Sequence, residues 1–168
     1  MFRLLYLVAL ALVGAFIFRA FAFERIEIAS GSMEPTLPIG TKVMVNKLAY
    51  LFHPPQRGDI VSFPSPVEKK ELVKRIVAVS GENVRIVRKE VLINGKPLAE
   101  PYVKHTRPNE LLAGDDLDMG QVPVGYLVLM GDNRDESGDS RDWVGAATGV
   151  PVPFVSEKSI EGKLMVEK

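Results

Sequence analysis

The sequence has no cysteine and only two histidines among its 168 residues. Without cysteine there is no disulfide framework, no thiol nucleophile and no thiolate-bound metal. The two histidines, His53 and His105, lie far apart in the chain and form no pair with metal-ligand spacing. Excess charge of one sign is also absent, because 21 basic and 21 acidic residues cancel. The sequence therefore excludes thiol chemistry and gives no support to nucleic-acid binding.

The longest apolar run lies at the N-terminus. Residues 4–23 are apolar or small except for Arg19. A helix over these residues would be about 30 Å long, the thickness of a bilayer core, which predicts a single transmembrane anchor over residues 1–23. Arg3, the apolar run and Ala20-Phe21-Ala22 also fit a cleaved secretory signal. Either interpretation exports the rest of the chain.

After the apolar run, short apolar segments alternate with Gly, Pro, Asn and Asp, a pattern typical of β-strands. The predicted strands are Glu24–Ala29, Lys42–Asn46, Asp59–Phe63, Glu71–Ser80, Val84–Val87, Glu90–Ile93, Tyr126–Met130 and Glu161–Val166. The segment Lys104–Gln121 has no clear period and predicts a loop, with Asp115, Asp116 and Asp118 in a solvated surface. The fold class predicted is mainly β: an antiparallel β domain behind one N-terminal helix.

A serine-rich turn follows the first predicted strand. The segment Ser30–Leu37 reads Ser-Gly-Ser-Met-Glu-Pro-Thr-Leu, and its glycine and proline force the chain out of the strand into a tight turn. A hydroxyl in such a turn is exposed and rigid, as a nucleophile must be. The turn by itself is more typical of an ordinary surface connection.

Lys74 is the candidate base. In the predicted strand Glu71–Ser80 the two-residue period places Lys74 on one face and Arg75 on the other, so one cation interrupts a buried apolar face. Burial can lower a lysine pKa by roughly 3–5 units from about 10.4, which makes the amine a base at neutral pH. Arginine stays protonated. The alternative is that Lys74 reaches solvent from a sheet edge, and the strand pattern leaves both open.

A dense polar loop, Gly131–Arg141, follows the predicted strand Tyr126–Met130. Aligned with an EF-hand, it lacks the bidentate glutamate at the final position, where Val144 stands. Calcium binding is therefore not predicted. The composition instead favours a rigid network of charge-assisted hydrogen bonds, in which Ser137 could offer its hydroxyl to a nearby amine.

In this order, the segments resemble bacterial signal peptidase I, the Ser-Lys leader peptidase family. Ser30–Leu37 resembles the nucleophile box of that family, and Gly58–Phe63 resembles the strand box that follows it. Lys74-Arg75 resembles the general-base box and Gly131–Arg141 the last box. With the N-terminal segment, the resemblance spans most of the chain.

The resemblance implies a role for each matching residue. Ser32 would attack the scissile carbonyl, Lys74 would take its proton, and the Ser30 hydroxyl with the Ser32 N–H would form the oxyanion hole. Ser137 matches the serine that orients the lysine. The other implied site residues are two charged groups that brace the site, Asp139 and Arg141, and four that build shallow apolar pockets for small residues at −1 and −3, Met33, Ile26, Ile28 and Val73.

The resemblance also implies the organisation and function of the chain. Residues 24–81 and 126–168 would form a β catalytic core, and residues 82–125 a small inserted β region with an irregular loop. The implied activity removes signal peptides from exported preproteins, with the anchor in the cytoplasmic membrane and the catalytic domain on its outer face. Preproteins and the lipid bilayer would be the partners, with no nucleic acid and no metal or organic cofactor.

Two alternatives remain open at this point: a conjugative-transfer or pilin-processing Ser-Lys peptidase of the same fold, and a non-catalytic membrane-anchored β domain. Two departures from the family pattern are also visible. Ala29 stands where a proline is common, and Ala146–Pro153 are eight extra residues before Phe154-Val155. These extra residues leave the shape of the segment after Arg141, and substrate choice, open.

Overall fold

The computed structural model describes residues 2–145 and 148–166. The chain begins with helix α1, Phe2–Ala22. Large apolar side chains project from this helix into solvent: Leu5, Tyr6, Leu7, Leu10, Leu12, Val13 and Phe21. Within the described residues, no helix has the combination of length and apolarity that crossing a membrane demands.

The part of the chain that the structure describes contains eleven strands. They are β1 Phe23–Glu27, β2 Lys42–Asn46, β3 Ile60–Pro64, β4 Glu71–Ala78, β5 Asn83–Val87, β6 Glu90–Ile93, β7 Lys96–Pro97, β8 Leu117–Gln121, β9 Tyr126–Met130, β10 Val155–Ser156 and β11 Gly162–Met165. Short 3₁₀ turns lie at Gly31–Met33, Arg134–Glu136 and Glu157–Ser159. The predicted mainly β class is confirmed.

The strands form two antiparallel sheets. The larger has seven strands in the order β1-β2-β11-β3-β4-β9-β10, and the smaller has four in the order β7-β6-β5-β8. Strand β4 therefore lies inside the large sheet, between β3 and β9, with Lys74 opposite Val61 in the register. A lysine at this position cannot reach solvent from a sheet edge, and the geometry excludes that alternative for Lys74.

All eight predicted strands are present, with ends within two residues of the prediction. The loop predicted for Lys104–Gln121 is wrong in its last five residues, because Leu117–Gln121 pairs with β5 as strand β8. Asp118 and Gly120 interrupt any period there, and the neighbouring strand fixes the conformation instead. Strands β7 and β10 have two residues each and are too short to show a period.

The prediction of a solvated acidic surface holds for Asp116 and Asp118 but is wrong for Asp115. Asp115 is 1% exposed. Its carboxylate lies 3.3 Å from Lys89 Nζ and 3.7 Å from Arg141 Nη1. A buried carboxylate is stable only when cations or N–H donors face it, and these cations come from segments that are distant in sequence.

Three apolar clusters fill the core, and each includes residues of the large sheet. One lies under the serine-rich turn and contains Ile28, Met33, Leu37, Val43, Val45, Ile60 and Leu164. Another surrounds Phe63 and Trp143, whose rings meet edge to face at 5.9 Å. The last joins the two sheets through Val77, Ala78, Val84, Ile86, Val128 and Met130. The serine-rich turn and β4 are thus both held from below by core residues.

Candidate active site

The serine-rich turn, Ser30–Leu37, contains a 3₁₀ turn, Gly31–Met33, shortly after the end of β1 at Glu27. Ser32 lies in it and is 8% exposed. The polar loop is hydrogen-bonded to the backbone of this turn. The Asn133 N–H donates to the Ser32 carbonyl at 3.0 Å, and Asn133 Nδ2 donates to the Gly31 carbonyl at 3.1 Å. The backbone that carries the Ser32 hydroxyl is therefore held by these hydrogen bonds and by the core residues Met33 and Leu37.

Lys74 meets this hydroxyl directly. Its Nζ donates a 2.7 Å hydrogen bond to Ser32 Oγ, and the lysine is only 2% exposed. Burial lowers the pKa of Lys74 from 10.5 to about 8, against the opposing charge of Asp139, which raises it. An amine with this pKa is partly neutral near pH 8, and its lone pair can then accept the proton of the serine hydroxyl.

Ser30 completes the polar rim of the turn. Its Oγ lies 3.3 Å from Ser32 Oγ. A hydroxyl at this distance can donate a hydrogen bond to a negatively charged oxygen that forms next to Ser32 Oγ. The structure thus brings Ser30, Ser32 and Lys74 together.

The predicted hydrogen-bond network of the polar loop is confirmed. Asp139 is fully buried, and Arg141 donates to its two carboxylate oxygens through Nε at 2.9 Å and Nη2 at 3.0 Å. The Gly131 N–H donates to the same carboxylate at 3.0 Å. Burial alone would raise the pKa of Asp139, but the Arg141 guanidinium and these donors hold it below its usual range. Asp139 thus remains charged.

The polar loop contacts the serine-rich turn, which carries the candidate nucleophile Ser32, at Gly131. A Cβ at this position would overlap the Ser32 carbonyl oxygen and the Ser137 side chain, so the close approach requires glycine. Ser137 is 7% exposed, and its Oγ has no hydrogen-bond partner among the described residues. The orientation of Lys74 by Ser137 therefore stays a prediction.

A second buried ion pair beside the site was missed by the sequence reasoning. Arg75 donates to Asp132 through Nε at 2.8 Å and Nη2 at 2.6 Å, and its guanidinium lies 3.9 Å from the ring centre of Tyr102. Thr36, in the serine-rich turn, donates to the same carboxylate. The pair ties the strand of Lys74 to the turn. The sequence signal for this pair was Arg75 itself, because a buried arginine next to Lys74 requires an anion.

Two cavities flank the Ser32–Lys74 contact, and both residues line each of them. The smaller, of about 150 Å³, contains all four predicted pocket residues: Ile26, Ile28, Met33 and Val73. The larger, of about 570 Å³, was not predicted and is lined on its far side by Glu136, Gly138, Asp142, Trp143 and Val144. An extended peptide that lies across Ser32 would therefore contact both cavities.

The segment after Arg141 contains the extra residues noted in the sequence. Ala146 and Ala147 lie outside the described residues. On either side of them, Val144 pairs with Pro151, and the Val152 N–H donates to the Trp143 carbonyl at 2.8 Å. The described residues on the two sides are therefore paired antiparallel next to the larger cavity, which Val144 lines.

Known proteins are similar to this chain in sequence and in structure. The family model "Signal peptidase, peptidase S26" matches residues 1–167. Signal peptidase I of Leptolyngbya laminosa is 35% identical over 144 residues, which cover 81% of this chain and 68% of the relative. The probable signal peptidase I-1 of Synechocystis is 39% identical over 145 residues, covering 82% and 71%. A solved signal peptidase I from Enterococcus faecalis superposes with a TM-score of 0.51 at 31% identity, covering 66% and 97%.

The buried position of Lys74 predicts a cost in stability. Replacing Lys74 with methionine, of similar shape but uncharged, should raise the free energy of unfolding at pH 7 by about 1–3 kcal/mol, since the desolvated ammonium is removed. The unfolded chain keeps this proton up to pH about 10.5, whereas the folded chain releases it above about 8. Wild-type stability should therefore rise with pH between these values relative to Lys74→Met.

Urea unfolding at several pH values measures both effects. Lys69→Met, at an exposed lysine in the loop before β4, serves as the control and should change stability little. A Lys74→Met protein that is less stable than wild type at pH 7, or a stability difference that does not change up to pH 10.5, would contradict this description of the site.

Proposed function

The chain belongs to the signal peptidase family, peptidase S26, and is a serine peptidase; we propose that Ser32 and Lys74 are the groups with which it removes N-terminal signal peptides from exported preproteins. The observation that carries the assignment is the 2.7 Å contact between the Ser32 hydroxyl and a lysine amine that burial holds at a pKa of about 8. A serine hydroxyl is a weak nucleophile until an adjacent base takes its proton.

The proposed reaction uses only groups of this chain. Neutral Lys74 accepts the proton of Ser32 as Oγ attacks the scissile carbonyl carbon, and the carbonyl oxygen becomes an oxyanion held by the Ser30 hydroxyl and the Ser32 N–H. The Lys74 ammonium then gives its proton to the leaving amine. In the second half, Lys74 takes a proton from the water that attacks the acyl-enzyme ester. The bond from the carbonyl carbon to Ser32 Oγ then breaks, and the Lys74 ammonium returns the proton to Oγ. No step requires a metal or an organic cofactor.

The bracing residues would keep this geometry constant through both half-reactions. Asp139 and Arg141 fix Gly131, and Gly131 packs against the Ser32 carbonyl. Ser137, which is buried against Gly131 on the same side as the Ser32 carbonyl, is the proposed group that orients Lys74. Ser137 also helps to lower the pKa of Asp139, so its side chain lies next to the carboxylate whose charge acts on Lys74.

Loss of activity is the first prediction. Ser32→Ala and Lys74→Ala should each lower cleavage of a preprotein with an Ala-x-Ala site by at least about a thousandfold, because each removes one member of a unit that acts together. The Lys69→Ala variant, which removes an exposed lysine of the loop before β4, should keep full activity. A metal chelator should leave the wild-type rate unchanged. A fully active Lys74→Ala variant would show that another group is the base.

The smaller cavity is the proposed recognition site for the small residues at −1 and −3. Its walls are the side chains of Ile26, Ile28, Met33 and Val73, which restrict it to about 150 Å³. Two large side chains together would exceed this volume, whereas the two methyl groups of alanine at −1 and −3 would fit. We therefore propose that steric exclusion by this cavity selects the cleavage position.

Enlarging this cavity should relax the selection. In an Ile26→Ala variant, kcat/KM for a peptide with valine at −1 or −3, relative to the peptide with alanine, should rise roughly tenfold, the effect of added space for one or two methylenes. Arg25→Ala is the matched control, since Arg25 is an exposed neighbour on the same strand and does not line the cavity. An unchanged ratio in Ile26→Ala would place the recognition of both positions elsewhere.

We also propose that helix α1 anchors the enzyme to the cytoplasmic membrane, with the β domain on the outer face. Its exposed leucine, valine and phenylalanine side chains support this, because such a surface gains free energy when it leaves water for lipid. Arg3 and Arg19 are exposed near its two ends, where they can reach lipid headgroups. An anchor would keep the site close to membrane-bound precursors.

Flotation with lipid vesicles tests the anchor. The wild-type chain should float with the vesicles, and a Leu7→Lys/Leu12→Lys double variant should lose most of this association, because two charges then face the lipid. Leu111→Lys, at an exposed leucine in the loop before β8, is the control and should float like wild type. Equal flotation of the double variant, or no flotation of wild type, would exclude α1 as the anchor.

A further inference from the structure

Lys89 is a buried cation with no role in the proposed reaction. It lies in the tight turn between β5 and β6 of the small sheet, with a backbone φ of +74° and a side chain only 9% exposed. Its Nζ donates to Asp135 at 2.7 Å and to the Arg107 carbonyl at 2.9 Å, and it lies 3.3 Å from Asp115. The small sheet thus inserts one charge into a buried cluster that includes the polar loop.

Asp115 is the second buried charge from this region. One of its oxygens faces Lys89 and accepts the Leu112 N–H at 2.6 Å. The other oxygen lies 3.7 Å from Arg141 Nη1 and has no hydrogen-bond partner in the described part of the chain. Asp115 therefore stands between the cation of the small sheet and the guanidinium that braces the peptidase site.

From Arg141 the contacts continue to the nucleophile. Arg141 holds both oxygens of Asp139, Asp139 accepts the Gly131 N–H, and Gly131 packs against the Ser32 carbonyl without room for a Cβ. Each contact in this series is buried and directional. A displacement of the guanidinium toward or away from Asp115 is therefore transmitted to the position of Ser32.

The cluster holds more carboxylates than permanent cations. Lys89 and Arg141 are its cations, Asp115, Asp135 and Asp139 are its carboxylates, and His105 Nδ1 lies 3.3 Å from Asp135. Removing one member of a buried ion pair leaves an uncompensated charge, which costs far more than an exposed pair contributes. A change at Asp115 would therefore remove one counter-ion from both cations and shift their side chains toward the remaining carboxylates, Asp139 and Asp135.

We propose that Lys89 and Asp115 are positioning residues of the peptidase: they fix the Arg141–Asp139 pair and, through Gly131, the serine-rich turn. The small sheet then serves catalysis, since it supplies part of the bracing of the site. Neither residue lines a cavity beside Ser32, so neither contacts the substrate. This inference rests on the proposed function of Ser32 and Lys74.

Steady-state cleavage of a peptide with an Ala-x-Ala site, by the full-length chain, tests the proposal. In Asp115→Asn and in Lys89→Met, kcat should fall roughly tenfold or more, while KM stays within about twofold, because the turn is displaced and the substrate cavities are not. Lys89→Arg should recover most of the kcat lost in Lys89→Met, since it restores the charge. Asp118→Asn and Lys96→Met change exposed residues of the same region and should leave both constants unchanged.

The outcomes separate this inference from the function on which it rests. Inactive wild type, or a fully active Lys74→Ala, would contradict the proposed function itself. An active wild type with inactive Lys74→Ala, but with unchanged kcat in Asp115→Asn and Lys89→Met, would overturn only the positioning role. If Lys89→Met does not fold, as judged by circular dichroism, the kcat values of Asp115→Asn and Lys89→Arg test the positioning role instead. A rise in KM equal to the fall in kcat/KM, with constant kcat, would also overturn it.

Discussion

The structure depends on the removal of one amine from water. Lys74 lies on an interior strand, 2% exposed, and its Nζ contacts the Ser32 hydroxyl at 2.7 Å. The full charge of Asp139 nearby acts to raise the pKa of Lys74, yet burial is the larger effect and lowers it to about 8. Were the burial incomplete, the carboxylate would win and the amine would remain protonated at neutral pH.

The Lys74 amine can stay desolvated among charged residues only if those charges are held in ion pairs. Arg75 is paired with Asp132 and Arg141 with Asp139 through two hydrogen bonds each, and Arg141 offsets part of the effect of Asp139 on the pKa of Lys74. The first pair also connects separate segments, because it joins β4 to the polar loop and, through Thr36, to the serine-rich turn. The polar loop is therefore both the rigid wall of the site and the source of its electrostatic balance.

The sequence predicted most of the fold because the longer strands carry their own apolar pattern. Strand β8 was missed, since Asp118 and Gly120 hide its pattern and pairing with β5 fixes it. Single-sequence periodicity placed one cation of the Lys74-Arg75 pair in the core, whereas both are largely covered. The family resemblance supplied the Ser32–Lys74 pairing, which the turn and strand patterns left open. It also supplied the four residues that line the smaller cavity.

The sequence patterns did not predict the long-range ion pairs. Asp115 was assigned to a solvated surface because three acidic residues in an irregular loop usually lie in water. Its burial depends on Lys89 and Arg141, which are 26 positions away on either side of it in the chain. Such contacts are set by how the small sheet packs against the large one. The hydrophobic pattern of one strand carries no information about this packing.

The titration of Lys74 tests the central claim most directly. With lysine side chains labelled with ¹³C at Cε, NMR follows each amine through pH, and the Lys74 signal is assigned by its absence in a Lys74→Arg variant. We expect this signal to titrate near pH 8 in the folded wild-type chain, well below the exposed lysines, since its ammonium is desolvated. A Lys74 signal that titrates near 10.5 would contradict a desolvated amine and its role as the base.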